Sequence, residues 1–178
     1  MVRNWYRVSG YGVGSCNLWS LMPAPEMNIN TDSIYEVTIT TPKGTIVMDL
    51  DPQLAPKTVN NFVNLANNGY YTGLTWHRVV PSFVVQGGCP EGSGRGGPGY
   101  KFEDEPVVGE YTLGALAMAN SGPGTNGSQF FICIDDCTRK LDKAYNLFGY
   151  VTSGMDVALR IAVGDSMETV TVVERPRT

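Results

Sequence analysis

Apolar and polar residues alternate in two neighbouring segments, Tyr35–Thr40 and Thr45–Leu50. Alternation with a period of two is typical of half-buried β-strands, because successive side chains point to opposite faces. Pro42, Lys43 and Gly44 lie between the two segments, and residues of these types favour a tight turn. The pattern therefore predicts a β-hairpin.

Helical spacing appears in Pro56–Ala66, where Val59, Phe62 and Val63 fall on one face. A second helix is predicted at Met155–Val163. Further strand signals fall at Leu74–Val80, Phe83–Gln86, Leu113–Ala119, Gln129–Ile134, Leu147–Val151 and Glu168–Val173. The chain is thus predicted to be mostly β with two helices.

A sheet of many short strands has edge strands whose unpaired backbone groups must be covered. Closing the sheet into a barrel removes these edges. We therefore expect a closed eight-stranded antiparallel β-barrel, with the two helices capping its open ends. Periodicity alone is equally compatible with a β-sandwich. The domain is expected to span residues 33–178. Residues 1–32 lack periodicity and are expected to form a flexible or strap-like extension.

Composition narrows the range of functions. The 178 residues include 17 acidic and 13 basic side chains, giving a formal net charge of −4. Such a balance gives no general attraction to phosphates or anionic lipids, so nucleic acid is not an expected partner. No stretch approaches the ~20 apolar residues of a membrane-spanning helix, so no membrane association is expected.

The four cysteines are Cys16, Cys89, Cys133 and Cys137, and the chain has one histidine. Their spacing is too irregular for a zinc site, so no metal is expected. Free thiols are the favoured interpretation, and a regulatory Cys133–Cys137 disulfide is the alternative. Because the N-terminal apolar runs are too short for a signal peptide, a cytoplasmic location is expected.

Two stretches carry candidate chemistry. In Trp76–Gly88, two strands around a tight turn place Arg78, Phe83 and Gln86 on one surface. In Ala117–Ile132, a loop of small and polar residues precedes a strand that ends in apolar residues, and such a loop leaves backbone groups open to a peptide. The alternatives are a structural hairpin with a surface arginine, and a solvated loop followed by a core strand.

Two other motifs are excluded. Gly92–Gly97 satisfies the G-x-G-x-x-G string, but Pro98 and Gly99 prevent the helix that a dinucleotide-binding loop must open. No serine has the G-x-S-x-G context of a hydrolase nucleophile, so His77 is not expected to act as the base of a serine hydrolase.

The two stretches together resemble the cyclophilin family, and the resemblance extends over the flanking strands. It is carried by His77–Phe83 with Gln86–Gly88, and by Ala119–Pro123 with Thr125–Ile132. The resemblance implies peptidyl-prolyl cis/trans isomerase activity on proline-containing peptides and unfolded proteins, without a cofactor, in a monomer. The alternative function is a proline-peptide binding module with incidental turnover.

Carried over residue by residue, the resemblance implies that Arg78 is the catalytic residue. The implied substrate-binding residues are His77, Phe83, Val84, Gln86, Ala119, Asn120, Gln129, Phe131, Leu141 and Tyr145. Two positions depart from the family pattern: Lys140 aligns with a common tryptophan and Tyr145 with a common histidine. Because Lys140 lacks an indole ring, we expect weak binding of the macrocyclic inhibitor cyclosporin.

Overall fold

A computed structural model describes residues 23–177, which form an eight-stranded antiparallel sheet and two helices. The strands are β1 (Ser33–Thr41), β2 (Gly44–Leu50), β3 (Arg78–Val80), β4 (Val84–Gly87), β5 (Ala115–Met118), β6 (Phe130–Cys133), β7 (Leu147–Ser153) and β8 (Thr169–Pro176). The helices are α1 (Pro56–Asn67) and α2 (Met155–Ala158). The mostly β class with two helices is thus confirmed.

The strands lie in the order β3-β4-β6-β5-β7-β2-β1-β8, and every neighbouring pair is antiparallel. The predicted hairpin is present, with Thr41 opposite Gly44 across the turn. In β1 the even alternation of the sequence becomes an alternation of buried and partly exposed residues. One face of the strand therefore lines the core.

Helix α1 covers the apolar face of the sheet. It begins at Pro56, where proline lacks only a backbone N–H that would have no helical partner. The ring of Phe62 stacks on Tyr71 at 4.6 Å between centroids and meets Phe130 edge-on at 5.2 Å. This aromatic cluster fills the centre of the main core.

The two end strands of the sheet, β3 and β8, are not paired with each other in the part of the chain that the structure describes. Instead, the segments that precede them, 73–76 and 164–167, exchange backbone hydrogen bonds. Trp76 N donates to Asp165 O at 2.9 Å, and Met167 N donates to Leu74 O at 2.7 Å. The sheet itself is open, so the prediction of a closed barrel is not confirmed.

The same pairing explains why two predicted elements are shorter than expected. Strand β3 begins only at Arg78, and α2 ends at Ala158 rather than at Val163. The Asp165 carboxylate accepts a hydrogen bond from Ala162 N at 2.8 Å, which holds the chain in a turn after the helix. The backbone carbonyl of the same Asp165 accepts from Trp76 N, a tertiary contact that periodicity in a short window does not report.

Residues 23–32 lie against α1. Asn60, which is 3% exposed, donates from its side chain to Glu26 O at 3.1 Å and accepts a hydrogen bond from Asn28 N, also at 3.1 Å. The rest of the predicted extension, with Cys16, lies outside the described residues. Neither helix of residues 23–177 is long and apolar enough to cross a membrane.

Candidate active-site groove

Four strands bring separated residues into a single row across the sheet. Arg78 pairs with Gln86, Gln86 pairs with Phe131, and Phe131 pairs with Ala117. Residues directly opposite each other on neighbouring strands project on the same face. The row therefore places a guanidinium, an amide and an aromatic ring side by side.

A chain of side-chain hydrogen bonds runs along this surface. Arg78 Nη1 donates to Gln86 Oε1 at 3.1 Å, and Gln86 Nε2 donates to Gln129 Oε1 at 3.1 Å. Gln129 Nε2 then donates to the carbonyl oxygens of Gly94 and Gly96, both at 2.9 Å. The exposed guanidinium is thus oriented by Gln86, which is itself held by Gln129.

A second apolar cluster, called here the pocket cluster, adjoins the row and is separate from the main core. The pocket cluster contains the predicted residues Phe83, Val84, Ala119, Phe131, Leu141 and Tyr145. The rings of Phe131 and Tyr145 meet edge-on, with centroids 5.6 Å apart. Phe131 and Val84 are almost fully buried, whereas Phe83 and Leu141 are partly exposed at the rim. The structure therefore brings these sequence-predicted residues together.

The loop after β5 closes another side of the groove. Ala119 N donates to Gln129 O at 3.0 Å, which continues the sheet pairing beyond β5. The Asn120 side chain donates to Ala144 O at 2.9 Å. Within residues 23–177, the backbone N–H and C=O of Asn120 have no hydrogen bond to another backbone group.

His77 directly precedes Arg78, and its side chain is partly buried. Burial lowers the pKa of His77, and the nearby Arg78 charge lowers it further, while Gln129 acts in the opposite direction. Neither ring nitrogen has a hydrogen-bond partner of good geometry among the described residues. The Gln129 amide is already engaged by Gln86, Gly94 and Gly96, so burial dominates and the ring is neutral at pH 7.

Lys140 lies beside the turn that precedes β4. Its ammonium group donates to Ser82 O at 2.8 Å and forms an ion pair with Asp135 at 2.6 Å. The ion pair raises the pKa of Lys140. A charged side chain therefore borders the apolar pocket at this position.

Two parts of the groove, Tyr111 and the 89–101 loop, were not among the predicted site residues. Tyr111 is buried in the pocket cluster, and its hydroxyl donates to Tyr145 O at 2.6 Å while accepting from Tyr145 N at 3.1 Å. It thereby fixes the backbone beneath the Tyr145 ring. The second is the glycine-rich 89–101 loop, whose carbonyls hold Gln129. The glycines of this loop were the signal in the sequence that could have indicated it.

Cys89 anchors the start of that loop. Gly94 N donates to its sulfur at 3.2 Å, and the thiol is fully buried. Burial acts to raise the pKa of this thiol, but the backbone N–H groups of residues 91, 93, 94 and 96 outweigh it, so the pKa is lowered. Backbone donors of this kind stabilise a thiolate.

Cys133 and Cys137 are free thiols at the base of the pocket cluster. Both are fully buried, and burial raises the pKa of each thiol. The Cys137 sulfur lies 3.4 Å from Phe83 O. Protonated, buried thiols of this kind act as small apolar side chains. Residues 23–177 contain no group of three or more His, Cys, Asp or Glu side chains arranged to hold a metal ion.

Comparison with known proteins identifies the family. The family model described as "Cyclophilin type peptidyl-prolyl cis-trans isomerase/CLD" matches residues 36–177. The chain belongs to the cyclophilin family. Peptidyl-prolyl cis-trans isomerase B of Bacillus subtilis is 50% identical to this cyclophilin over 129 residues, which are 71% of this chain and 90% of the relative. The Helicobacter pylori isomerase is 44% identical over 137 residues, 75% of this chain and 83% of that protein.

Solved structures of a cyclophilin-type isomerase are similar to the structure of this chain. A cyclophilin-type isomerase from Cryptosporidium parvum superposes with a TM-score of 0.73 at 30% identity, covering 80% of this chain and 99% of that one. A second structure of that protein, in the presence of the dipeptide Ala-Pro, gives a TM-score of 0.72 at 29% identity, covering 79% of this chain and 99% of that one. The present cyclophilin is accordingly a peptidyl-prolyl cis-trans isomerase.

Proposed function

We propose that this cyclophilin assists protein folding in the cytoplasm by accelerating rotation about X-Pro bonds of flexible and unfolded chains, with Arg78 as the catalytic residue. The observation that carries the proposal is the position of the Arg78 guanidinium, which Gln86 orients in the same row as the Phe131 pocket. The Ala-Pro dipeptide named with the Cryptosporidium parvum relative supports a proline ligand for this groove.

The reaction needs a hydrogen-bond donor rather than a nucleophile. Amide resonance opposes rotation with a barrier of ~18–20 kcal/mol, and no bond is made or broken in crossing it. As the C–N bond twists, the nitrogen becomes pyramidal and regains a lone pair that the planar amide does not offer. A donor directed at that lone pair stabilises only the transition state, which is the condition for catalysis.

Arg78 meets this requirement. Its guanidinium is always protonated, is planar and carries five N–H donors. Gln86 occupies one donor, so the others are available to a substrate. Because Gln86 is held by Gln129, the donor is oriented before the substrate arrives, and less reorganisation accompanies the reaction.

The hydrogen bond alone is too weak to account for the rate. Bringing exchange from tens of seconds to milliseconds takes roughly 6–7 kcal/mol. One charge-assisted hydrogen bond contributes about 1.5–3 kcal/mol. We assign the remainder to the apolar pocket, which would clamp the pyrrolidine ring and exclude the water that stabilises the planar amide.

The other residues of the groove would hold the peptide. We propose that Phe83, Val84, Phe131 and Leu141 contact the proline ring, and that Tyr145 supports Phe131 through their edge-on contact. The substrate backbone would be bound by Gln86, Ala119, Asn120 and Gln129. Neutral His77 would contribute surface rather than charge at the rim.

Several features support the remaining parts of the proposal. Cys89, Cys133 and Cys137 are unpaired thiols, as is usual in the reducing cytosol. We propose that the protein acts as a monomer. We also propose that the sheet curls into a barrel whose seam is formed by the 73–76 and 164–167 segments. The amides of Trp76 and Met167 should then exchange slowly with solvent, since both are hydrogen-bonded along that seam.

Arg78→Ala tests the assignment. We expect kcat/KM on a short proline peptide to fall by about 10- to 150-fold, the equivalent of one charge-assisted hydrogen bond. Arg78→Lys should restore part of the rate, because lysine keeps the charge but loses the fork of donors. Exchange measured by NMR line shapes needs no coupling protease.

Circular dichroism and urea unfolding serve as controls, because Arg78 is exposed and its replacement should leave the fold intact. Unchanged turnover in a folded Arg78→Ala protein would contradict the catalytic role. A wild-type protein that binds the peptide without turnover would support the binding-module alternative.

A further inference from the structure

A large cavity continues the groove beyond Gln86 and Gln129. Its volume is about 870 Å³, and it lies between the 91–101 loop and the 119–129 segment. Among the residues that line it are Arg95, Lys101 and Glu91. Both cations are exposed. The pocket for the proline ring accounts for none of these charged residues.

Unpaired positive charge is concentrated at this groove. Most lysines and arginines of residues 23–177 have a carboxylate oxygen within 4.0 Å of a side-chain nitrogen. Within residues 23–177, the cations that have no carboxylate at this distance are Arg78, Arg95, Lys101 and Arg139. Three of these four cations border the groove. On a chain of net charge −4, abundant acidic side chains have left these cations unpaired.

One carboxylate faces the same cavity and reduces the positive charge there. Glu91 lines it and accepts a hydrogen bond from the Ser93 hydroxyl at 3.1 Å. The cavity still carries one more positive than negative side chain at its wall. Arg78 adds a further cation at the end nearest the proline pocket.

The loop that carries Arg95 is fixed relative to the reacting centre. Gln129 donates to the carbonyls of the two residues flanking Arg95, and the same glutamine accepts from Gln86. Beside Lys101, Phe102 N donates to Asn126 O at 3.0 Å. The two cations therefore project from backbone positions that are tied to the groove.

The direction of a bound substrate follows from the same geometry. With the pyrrolidine ring in the Phe131 pocket and its nitrogen facing Arg78, the preceding residue is attached on the Arg78 side. From Arg78, the hydrogen-bonded side chains of Gln86 and Gln129 then lead toward the cavity, which both glutamines line. Residues before the proline would thus pass over Arg95 and Lys101.

We propose that Arg95 and Lys101 make this cyclophilin selective for substrates with an acidic side chain two or three residues before the proline. The inference rests on the proposed function, which it refines by naming the substrate class. A carboxylate in the cavity would gain two partners that the folded protein has left unpaired. Because the site is partly open to solvent, each interaction is of the modest size of exposed ion pairs and is weakened by salt.

The test compares peptides that differ only in charge. Ala-Glu-Ala-Pro-Phe and Ala-Gln-Ala-Pro-Phe, with blocked termini, are followed by NMR exchange at 20 mM and 500 mM NaCl. We expect kcat/KM for the Glu peptide to exceed that for the Gln peptide by about three- to tenfold at low salt, falling below about twofold at high salt. Peptides with Glu directly after the proline should show no preference.

Substitutions at the cavity wall test whether Arg95 and Lys101 cause the preference for the Glu peptide. Arg95→Gln with Lys101→Gln should bring the Glu-to-Gln ratio to about one, whereas Glu91→Gln should raise it. Arg139→Gln with Arg160→Gln makes the same change in net charge away from the cavity and should leave the ratio as in the wild type.

The outcomes separate this inference from the proposed function. Equal turnover of both peptides would overturn the selectivity while leaving the isomerase activity standing. Turnover of neither peptide would contradict the proposed function itself. A preference that persists in the Arg95/Lys101 double variant, or that follows Glu placed after the proline, would also overturn the assignment.

Discussion

His77 illustrates how burial can matter more than sequence context for one residue. It is the chain's single histidine and lies next to the proposed catalytic arginine, which makes an acid–base role look attractive. Yet burial and the Arg78 charge lower its pKa from 6.5, and the reaction transfers no proton. The side chain is therefore neutral at pH 7.

The lowered pKa of His77 should make the free energy of unfolding depend on pH. Because the folded pKa lies below 6.5, the unfolded chain binds a proton that the folded protein does not. The free energy of unfolding should then fall as pH is lowered from about 7.5 through 6.5 toward the folded pKa. His77→Gln should flatten this part of the profile, as measured by urea unfolding at half-unit pH steps. An identical slope in the variant would contradict the assignment.

Lys140 gives a second prediction for a single residue. Its ammonium group is held by Asp135 and Ser82 O, where an indole ring would offer apolar surface and one N–H donor. Lys140→Trp should tighten cyclosporin binding by about tenfold, as measured by titration calorimetry. Arg139→Trp, at the exposed neighbouring position, is the matched control and should change the affinity little. Equal gains from both would indicate a nonspecific effect of an added aromatic ring.

At the level of elements, strands pack closely where glycine leaves room. Gly149 on β7 lies between β2 and β5, opposite Leu50 and Leu116. A β-carbon there would lie 2.3 Å from Asp49 O, which is a backbone atom and cannot move aside cheaply. The close pairing of these strands thus depends on the missing side chain.

Gly149→Ala should therefore lower the free energy of unfolding by about 1–3 kcal/mol or more, seen as a lower urea midpoint. Gly97→Ala is the matched control, since no heavy atom lies within 4 Å of its added β-carbon and its φ is not positive. The control should change stability by only a few tenths of a kcal/mol. Similar losses in both variants would show that close approach is not the cause.

For the whole molecule, the segment before β1 connects the N-terminal part of the chain to α1. Asn60 is buried and polar, and it satisfies its side chain with Glu26 O and Asn28 N. Asn28 also exchanges side-chain hydrogen bonds with Asn64, at 3.0 and 2.9 Å. The predicted domain start at Ser33 leaves these contacts out.

Two truncations distinguish the parts of the extension. Removing residues 1–22 keeps the contacts of Asn60 with Glu26 and Asn28 and gives the reference protein. Removing residues 1–30 should cost about 1–3 kcal/mol relative to that protein, because Asn60 loses its hydrogen bonds with Glu26 and Asn28 and the core loses its contact with Ile29. Equal stability of the two proteins would contradict a stabilising role for residues 23–30.

The sequence by itself determined the elements and the chemistry. Alternation in Tyr35–Thr40 and helical spacing in Pro56–Ala66 depend on neighbours a few residues apart, so local pattern was sufficient. The two motif runs identified the family and nominated Arg78. Element ends were less well predicted, as the short α2 shows, because the 164–167 segment that follows this helix pairs with the distant 73–76 segment.

Only the tertiary structure decided which side chains meet. Arg78, Gln86, Phe131 and Ala117 are in one row because three strand registers align them, and register joins residues that are up to about fifty positions apart. The same holds for the 91–101 loop, which Gln129 ties to the groove and which carries Arg95 and Lys101 to the cavity wall. Packing between distant segments is a property of the folded chain, and no local periodicity records it.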